Sequence, residues 1–183
     1  SLITVNPGAR YDSKSLTSVF EAIASLYYDN GYVYSNIIPQ ITRENDNKVS
    51  INLIIVEGTQ AKVEEIRING LTKTKPYVLE REMAVKVGDV FSRSAFIQSQ
   101  QNMYNTSLLK NISAALYPGK TEDGVICEFN VEEGNQMELQ FGATFGATEL
   151  NGFPVSGFLS LTNNNLGGTG RALSLSTEIS PSK

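Results

Sequence analysis

The sequence predicts an α+β fold: two small modules, each a strand, two helices and two strands, with the opening strand of the first one missing, followed by the first antiparallel strands of a transmembrane β-barrel. Three observations carry that prediction. A helix, strand, turn, strand pattern occurs twice. The segments after each helix are apolar runs or strict alternations. Beyond residue 138 charge nearly vanishes: of 15 basic and 19 acidic residues only Glu149, Arg171, Glu178 and Lys183 lie there.

The first copy runs from Tyr11 to Gly58. Asp12 or Ser13 can cap a helix in which Leu16, Val19, Phe20, Ile23, Ala24 and Tyr27 recur at three- and four-residue steps, giving one apolar face that Gly31 ends. "NIIPQIT", the polar turn "RENDNK" and "VSINLIIV" then make a β-hairpin. Pro39 has no N–H to give to a ladder, so the first of these strands is expected at a sheet edge.

Between the copies "AKVEEIRING" alternates as a strand, and "KPYVLEREMA" reads as a helix with Pro76 near its first turn and Val78, Leu79 and Met83 apolar. The second copy, Phe91 to Gly134, repeats the plan. Ser92 or Ser94 caps a helix with a thinner face of Phe96, Ile97, Met103 and Tyr104, and "NISAALY", "PGKTEDG" and "VICEFNV" form the hairpin. Val63, Ile66, Phe96, Met103, Val125, Cys127, Phe129 and Val131 are its expected core. The expected domains are residues 1–60, lacking their first strand, 61–134 and 137–183.

In the tail "MELQFGATFG", "PVSGFLSLT" and "GRALSLSTEIS" alternate, joined by "TELNGF" and "NNNLGGT". Met137, Leu139, Phe141, Ala143 and Phe145 point one way; Glu138, Gln140, Gly142, Thr144 and Gly146 point the other. A segment of about ten residues suits a tilted membrane-spanning strand. An ordinary soluble antiparallel sheet also alternates, but it usually blunts its exposed strands with charge, and these carry small uncharged residues instead. Three strands cannot close a barrel, so the sequence is expected to stop inside one, cut from a longer chain at both ends.

Absence of His removes His-based nucleophilic catalysis and the commonest transition-metal ligand, and the single Cys127 belongs to an apolar strand face. Glu57, Glu64, Glu65, Asp89, Glu132 and Glu133 stand at strand ends and turns, where solvated charge is the plain reading. No catalytic, cofactor or metal constellation is found, so the protein is expected not to be an enzyme. Net charge is -4 with no dense Lys/Arg cluster, which argues against nucleic acid as a partner. No 18-residue apolar run marks a transmembrane helix.

The order of parts resembles the family of outer-membrane protein assembly factors with periplasmic POTRA modules. "LYYDNGYVYSNI" and "MYNTSLLKNI" look like its helix-end segment, "IRINGLTKTKPYVLEREM" is similar to the start of its last POTRA module, and "NNNLGGTGRALSLS" to its turn between early barrel strands. Ser107 stands where the family usually has Gly, and Leu109 where Phe is common. The resemblance implies a factor in the outer membrane of a diderm bacterium, with residues 1–134 in the periplasm and a lipid bilayer around the barrel. Its partners would be unfolded outer-membrane proteins and accessory lipoproteins. Clients would add by main-chain pairing to an exposed edge. Candidate edges are Glu138, Leu139, Gln140, Phe141, Gly142, Ala143 and Thr144 of the first barrel strand, Ile37, Ile38, Gln40 and Ile41 of the first hairpin, and Ile112, Ser113, Ala114, Ala115 and Leu116 of the second. Glu80, Arg81 and Glu82, on the polar side of a short helix, are candidates for docking a lipoprotein. Other readings are a partner-secreting or translocation-assembly member of the same family, or a soluble periplasmic interaction module.

Overall fold

The computed structural model describes residues 8, 10–45, 48–145 and 155–179. The "SLITVNP" start, the middle of the "RENDNK" turn and the "TELNGF" connection lie outside the described residues. Two compact units emerge, one of Ser1–Arg67, Met83–Gln101 and Ala114–Phe129, the other of Ile68–Glu82, Asn102–Ser113 and Asn130–Lys183.

In the first unit α1 (Ser13–Asp29) starts at Asp12, whose carboxylate accepts from the backbone N–H groups of Lys14 and Ser15 at 3.3 and 3.1 Å. It stops in a Schellman turn, in which Tyr32 N–H donates to the Tyr27 carbonyl at 2.9 Å and Gly31 takes φ +86°. Here β1 (Asn36–Asn45) and β2 (Lys48–Val56) pair antiparallel with Pro39 opposite Leu53, and β1 is an edge strand as Pro39 requires.

The next elements are β3 (Lys62–Asn69), α2 (Pro76–Glu80), α3 (Arg93–Asn105), β4 (Leu109–Pro118) and β5 (Gly124–Glu133), with the sheet ordered β3-β5-β4. Central β5 is buried at Val125, Ile126, Cys127, Phe129 and Val131. Val63 and Met103 are buried as expected, whereas Ile66 and Phe96 are half-buried. Ile66 does not share the face of Val63, as the expected core requires: three residues away on a strand, its side chain points the other way. The Phe96 ring lies 5.1 Å from Phe129 and 5.9 Å from Phe91.

Helix α2 ends at Glu80 rather than running through "EREMA". Side chains of α3 claim the backbone a longer helix would pair internally: Ser99 Oγ accepts from Ala84 and Val85 N–H at 2.9 and 3.1 Å, and Asn102 Nδ2 donates to the Glu82 carbonyl at 2.9 Å. The N-terminus of α3 is capped by Ser92 and also by Asp29 from the end of α1, which accepts from Ser94 N–H at 2.7 Å and Ser94 Oγ at 2.8 Å. After α3, Ser107 takes φ +60°, the left-handed exit that Gly would supply.

The second unit includes the tail, where β6 (Met137–Phe145), β7 (Val155–Asn163) and β8 (Leu173–Ile179) form an antiparallel sheet in that order. The register aligns Leu139, Leu161 and Leu175, and sets Phe141 opposite Leu159. One face is therefore mostly apolar, broken by Asn163 and Thr177, and it is exposed, Phe141 at 78% and Leu175 at 70%. No described helix is long and apolar enough to cross a membrane.

Candidate functional site

The strand orders leave β1, β4 and β6 at sheet edges, and β2 and β8 likewise. On β1, Ile38, Gln40 and Ile41 are exposed and Ile37 half-buried; on β4, Ser113 and Leu116 are exposed, Ala114 and Ala115 half-buried and Ile112 buried. On β6, Glu138, Leu139, Gln140, Phe141 and Ala143 are exposed, and Gly142 lies beneath the Phe158 ring. Strand β3 is a further edge that the sequence reading missed. Its start is covered by the 88–91 segment, Val63 N–H donating to the Asp89 carbonyl at 2.9 Å and Gly88 N–H to the Val63 carbonyl at 2.8 Å.

Behind the β6 edge sits a polar joint inside the second unit. Glu133, the last residue of β5, accepts from Thr72 N–H at 3.1 Å, Lys73 N–H at 2.8 Å, Thr74 N–H at 2.6 Å and the Thr72 hydroxyl. Partial burial opposes ionisation of this carboxyl, but the donors of Thr72, Thr74 and Lys73 outweigh it and hold the pKa down at about 2. The loop so fixed presents Thr74 Oγ1, which accepts from Asn165 Nδ2 at 2.8 Å and Gln136 Nε2 at 3.3 Å. Asn165 Oδ1 in turn accepts from Gly170 N–H at 2.7 Å, and Lys75 N–H donates to the Gly168 carbonyl at 2.9 Å.

Thr74, Gln136 and Asn165 are at most 6% exposed. A buried polar group must be paired, so a joint built of three of them accepts one geometry and penalises others. Gly168 allows the approach: at φ +75° and against the Lys73 carbonyl, it has no room for a methyl group. Together these bonds pin the β7–β8 turn and the first residue before β6 to one loop.

Of the docking candidates, Arg81 and Glu82 come together at 3.0 Å and line an open cleft of about 320 Å³ with Asn102, Asn105, Thr106, Leu108 and Gly170. Glu80 is exposed and does not line it. Only Glu80 is helical; the early end of α2 puts Arg81 at its cap and Glu82 in the turn, which corrects their placement on one helix face. Burial pushes the Cys127 thiol up to about 12, so it is an inert core group. Among the described residues no cluster of three or more His, Cys, Asp and Glu could hold a metal ion.

The sequence reading did not find the joint. Glu133 read as a solvated strand end, and Thr74 and Asn165 are 91 residues apart. The usable signal was the glycine run at Gly167, Gly168 and Gly170, all at positive φ, which marks a turn approached closely by another backbone.

The family model described as "Surface antigen variable number repeat", POTRA, matches residues 1–58 and 61–134. A "Putative outer membrane protein assembly factor" of Treponema pallidum is 34% identical over 179 residues, 97% of this chain and 21% of the relative. Outer membrane protein assembly factor BamA of Neisseria meningitidis is 28% identical over 176 residues, 95% of this chain and 22% of the relative. The chain thus spans about a fifth of these relatives' length. Among solved structures, BamA from Haemophilus ducreyi lacking POTRA domains 1–3 superposes with TM-score 0.81 at 25% identity, over 98% of this chain and 33% of that one. The repeat, the sheet order of the second module and the two matched segments agree: the chain belongs to the POTRA family, and its relatives are BamA-type outer membrane protein assembly factors.

Proposed function

We propose that the full-length protein is an outer-membrane protein assembly factor. Residues 1–60 and 61–134 are two periplasmic POTRA modules, and residues 137–183 open a barrel embedded in the outer membrane of a diderm bacterium. Unfolded barrel proteins arrive in the periplasm and add to β6 by main-chain pairing, and the modules offer further edges at β1 and β4. The role is non-enzymatic: pairing and positioning replace bond chemistry. Accessory lipoproteins dock at the Arg81–Glu82 cleft, with Glu80 at its margin.

The observation that carries this reading is the β6–β8 sheet itself. It combines an outward apolar face, a β6 edge with no strand beyond it among the described residues, and a hydrogen-bonded joint to the loop before α2. Hydrocarbon suits the first feature and an incoming strand suits the second. A strand that adds to this edge by main-chain pairing needs no side-chain code, which fits clients of many sequences.

The test is a pair of substitutions at Gln140 in the full-length protein. Gln140→Pro deletes a backbone donor and Gln140→Ala keeps it. Proline is expected to abolish assembly of client barrels, alanine to preserve it, with both variants inserted in the membrane. Gly142 is unsuitable for this pair, because a methyl group there strikes the Phe158 ring. Equal assembly by both Gln140 variants would move client pairing to β1 or β4.

A further inference from the structure

We propose that Lys73, Lys75 and Arg171 form a cationic rim that binds the phosphates of anionic lipid headgroups at the foot of the β6–β8 sheet. This inference rests on the membrane reading of that sheet. Lys73 and Lys75 are near neighbours in the sequence and Arg171 lies far from them, and the polar joint brings the turn that carries Arg171 to the loop that carries the lysines. Lys73 and Lys75 flank Thr74, the hydroxyl to which Asn165 is pinned. Arg171 closes the same turn, its carbonyl accepting from Leu166 N–H at 2.8 Å. Because Lys75 N–H is bonded to the Gly168 carbonyl, the loop and the turn hold their backbones in fixed register.

All three side chains are exposed, and among the described residues none has a carboxylate within ion-pair distance. Carboxylates of the same unit are occupied elsewhere. Glu133 is taken by the 72–74 loop, Glu82 by Arg81, Glu132 by Lys110 and Glu138 by Gln140 Nε2, which leaves, among the described residues, Glu80 and Glu178 near the far end of β8. In a chain of net charge -4 the rim is a local reversal of sign.

Position selects the partner. Met137, Asn163 and Leu173 make the first rung of the sheet, and Met137 and Leu173 are 55% and 56% exposed on its apolar face. Arg171 stands two residues before Leu173, and Leu166 is exposed within the turn. Apolar side chains begin where the cations end. That sequence of chemistry matches a bilayer boundary, with leucines among acyl chains and ammonium and guanidinium groups at phosphate depth. An acidic protein would satisfy the cations and leave the adjoining apolar rungs bare.

The experiment uses the full-length protein in nanodiscs of phosphatidylcholine and phosphatidylglycerol in equal parts. A fluorophore at Leu166→Cys reports proximity to headgroup-quencher versions of each lipid, giving the preference for phosphatidylglycerol over phosphatidylcholine. Neutralising one cation, as in Lys73→Gln, is expected to lower that preference about fivefold at low ionic strength, and the triple variant with Lys75→Gln and Arg171→Gln to abolish it. High salt should erase the preference of the parent. These side chains make no bond in the joint, so the variants keep its backbone contacts. A second fluorophore at Leu175→Cys, read with acyl-chain quenchers, separates the two readings. No acyl quenching there overturns the membrane reading and this inference with it. Acyl quenching at position 175 with an unchanged lipid preference in the triple variant overturns the inference alone. So does an unchanged preference accompanied by loss of an acidic protein from the purified complex, which would make the rim a protein-docking surface.

Discussion

Phe158 lies across Gly142. The β6–β7 register sets the two directly opposite, and a methyl group at position 142 would come within 2.5 Å of Phe158 Cε1 and 2.8 Å of Cζ. Glycine is a poor strand former, and an opposed aromatic ring that covers its bare backbone offsets part of that weakness. Gly142→Ala should therefore displace the ring, and because Phe158 is exposed and can turn aside, the cost is about 0.5–1.5 kcal/mol of rotamer strain. Adding Phe158→Ala should return part of the loss. Urea midpoints of the full-length protein in bilayers give both values, and a Gly142→Ala variant as stable as the parent would show that the ring is not confined.

Thr74 and Asn165 should behave as one unit. Either Asn165→Ala or Thr74→Val leaves a buried polar group of the joint unpaired, at about 1–3 kcal/mol each. The double variant should cost less than the two singles together by at least about 0.5 kcal/mol, since the second change removes a bond already broken. Strict additivity in a double-mutant cycle would mean that the β7–β8 turn is held by its backbone contacts alone.

Glu133 gives the joint a pH dependence of definite sign. Its folded pKa, about 2, is below the ordinary 4.5, so its stabilisation is complete above pH 4.5 and is lost as pH falls from there towards 2. Glu133→Gln should be less stable at pH 7 by about 2 kcal/mol, and its unfolding free energy should converge on that of the parent as pH approaches 2. Asp12, Asp29, Glu64 and Glu65, also lowered, keep the remaining acid slope in both proteins. A gap that stays constant from pH 7 down would contradict the assignment.

Ser107 carries a left-handed backbone at φ +60° that costs an L residue and not glycine. Ser107→Gly should stabilise the chain by about 0.5–1 kcal/mol after the extra freedom of the unfolded glycine is subtracted. A thermal melt that falls on substitution would show that the Ser107 side chain stabilises this exit.

Features governed by near neighbours were readable in the residues. Asp12 caps α1 and Pro39 lies on an edge strand, and each follows from what one side chain can or cannot bond. The tail strands were readable because alternation survives any packing. The length of α2 was not, since Ser99 and Asn102 reach back from a later helix and outbid its own ladder. Nor was the joint, because nothing near Glu133 in sequence shows that its carboxylate will meet the 72–74 loop 60 residues earlier. Charge at a strand end is solvated unless the fold brings donors to it.

Whether clients pair with β6 is read most directly by photocrosslinking during client assembly. Crosslinking groups are placed singly at Glu138 and Gln140 on β6, at Ile38 on β1 and at Ala114 on β4 of the full-length protein, while a labelled barrel client is being inserted. The predicted result is crosslinking from positions 138 and 140 to the client's terminal strand at sites two residues apart, the spacing of a fixed ladder register. Silence at both β6 positions, with the client captured from Ile38 or Ala114 instead, would contradict it.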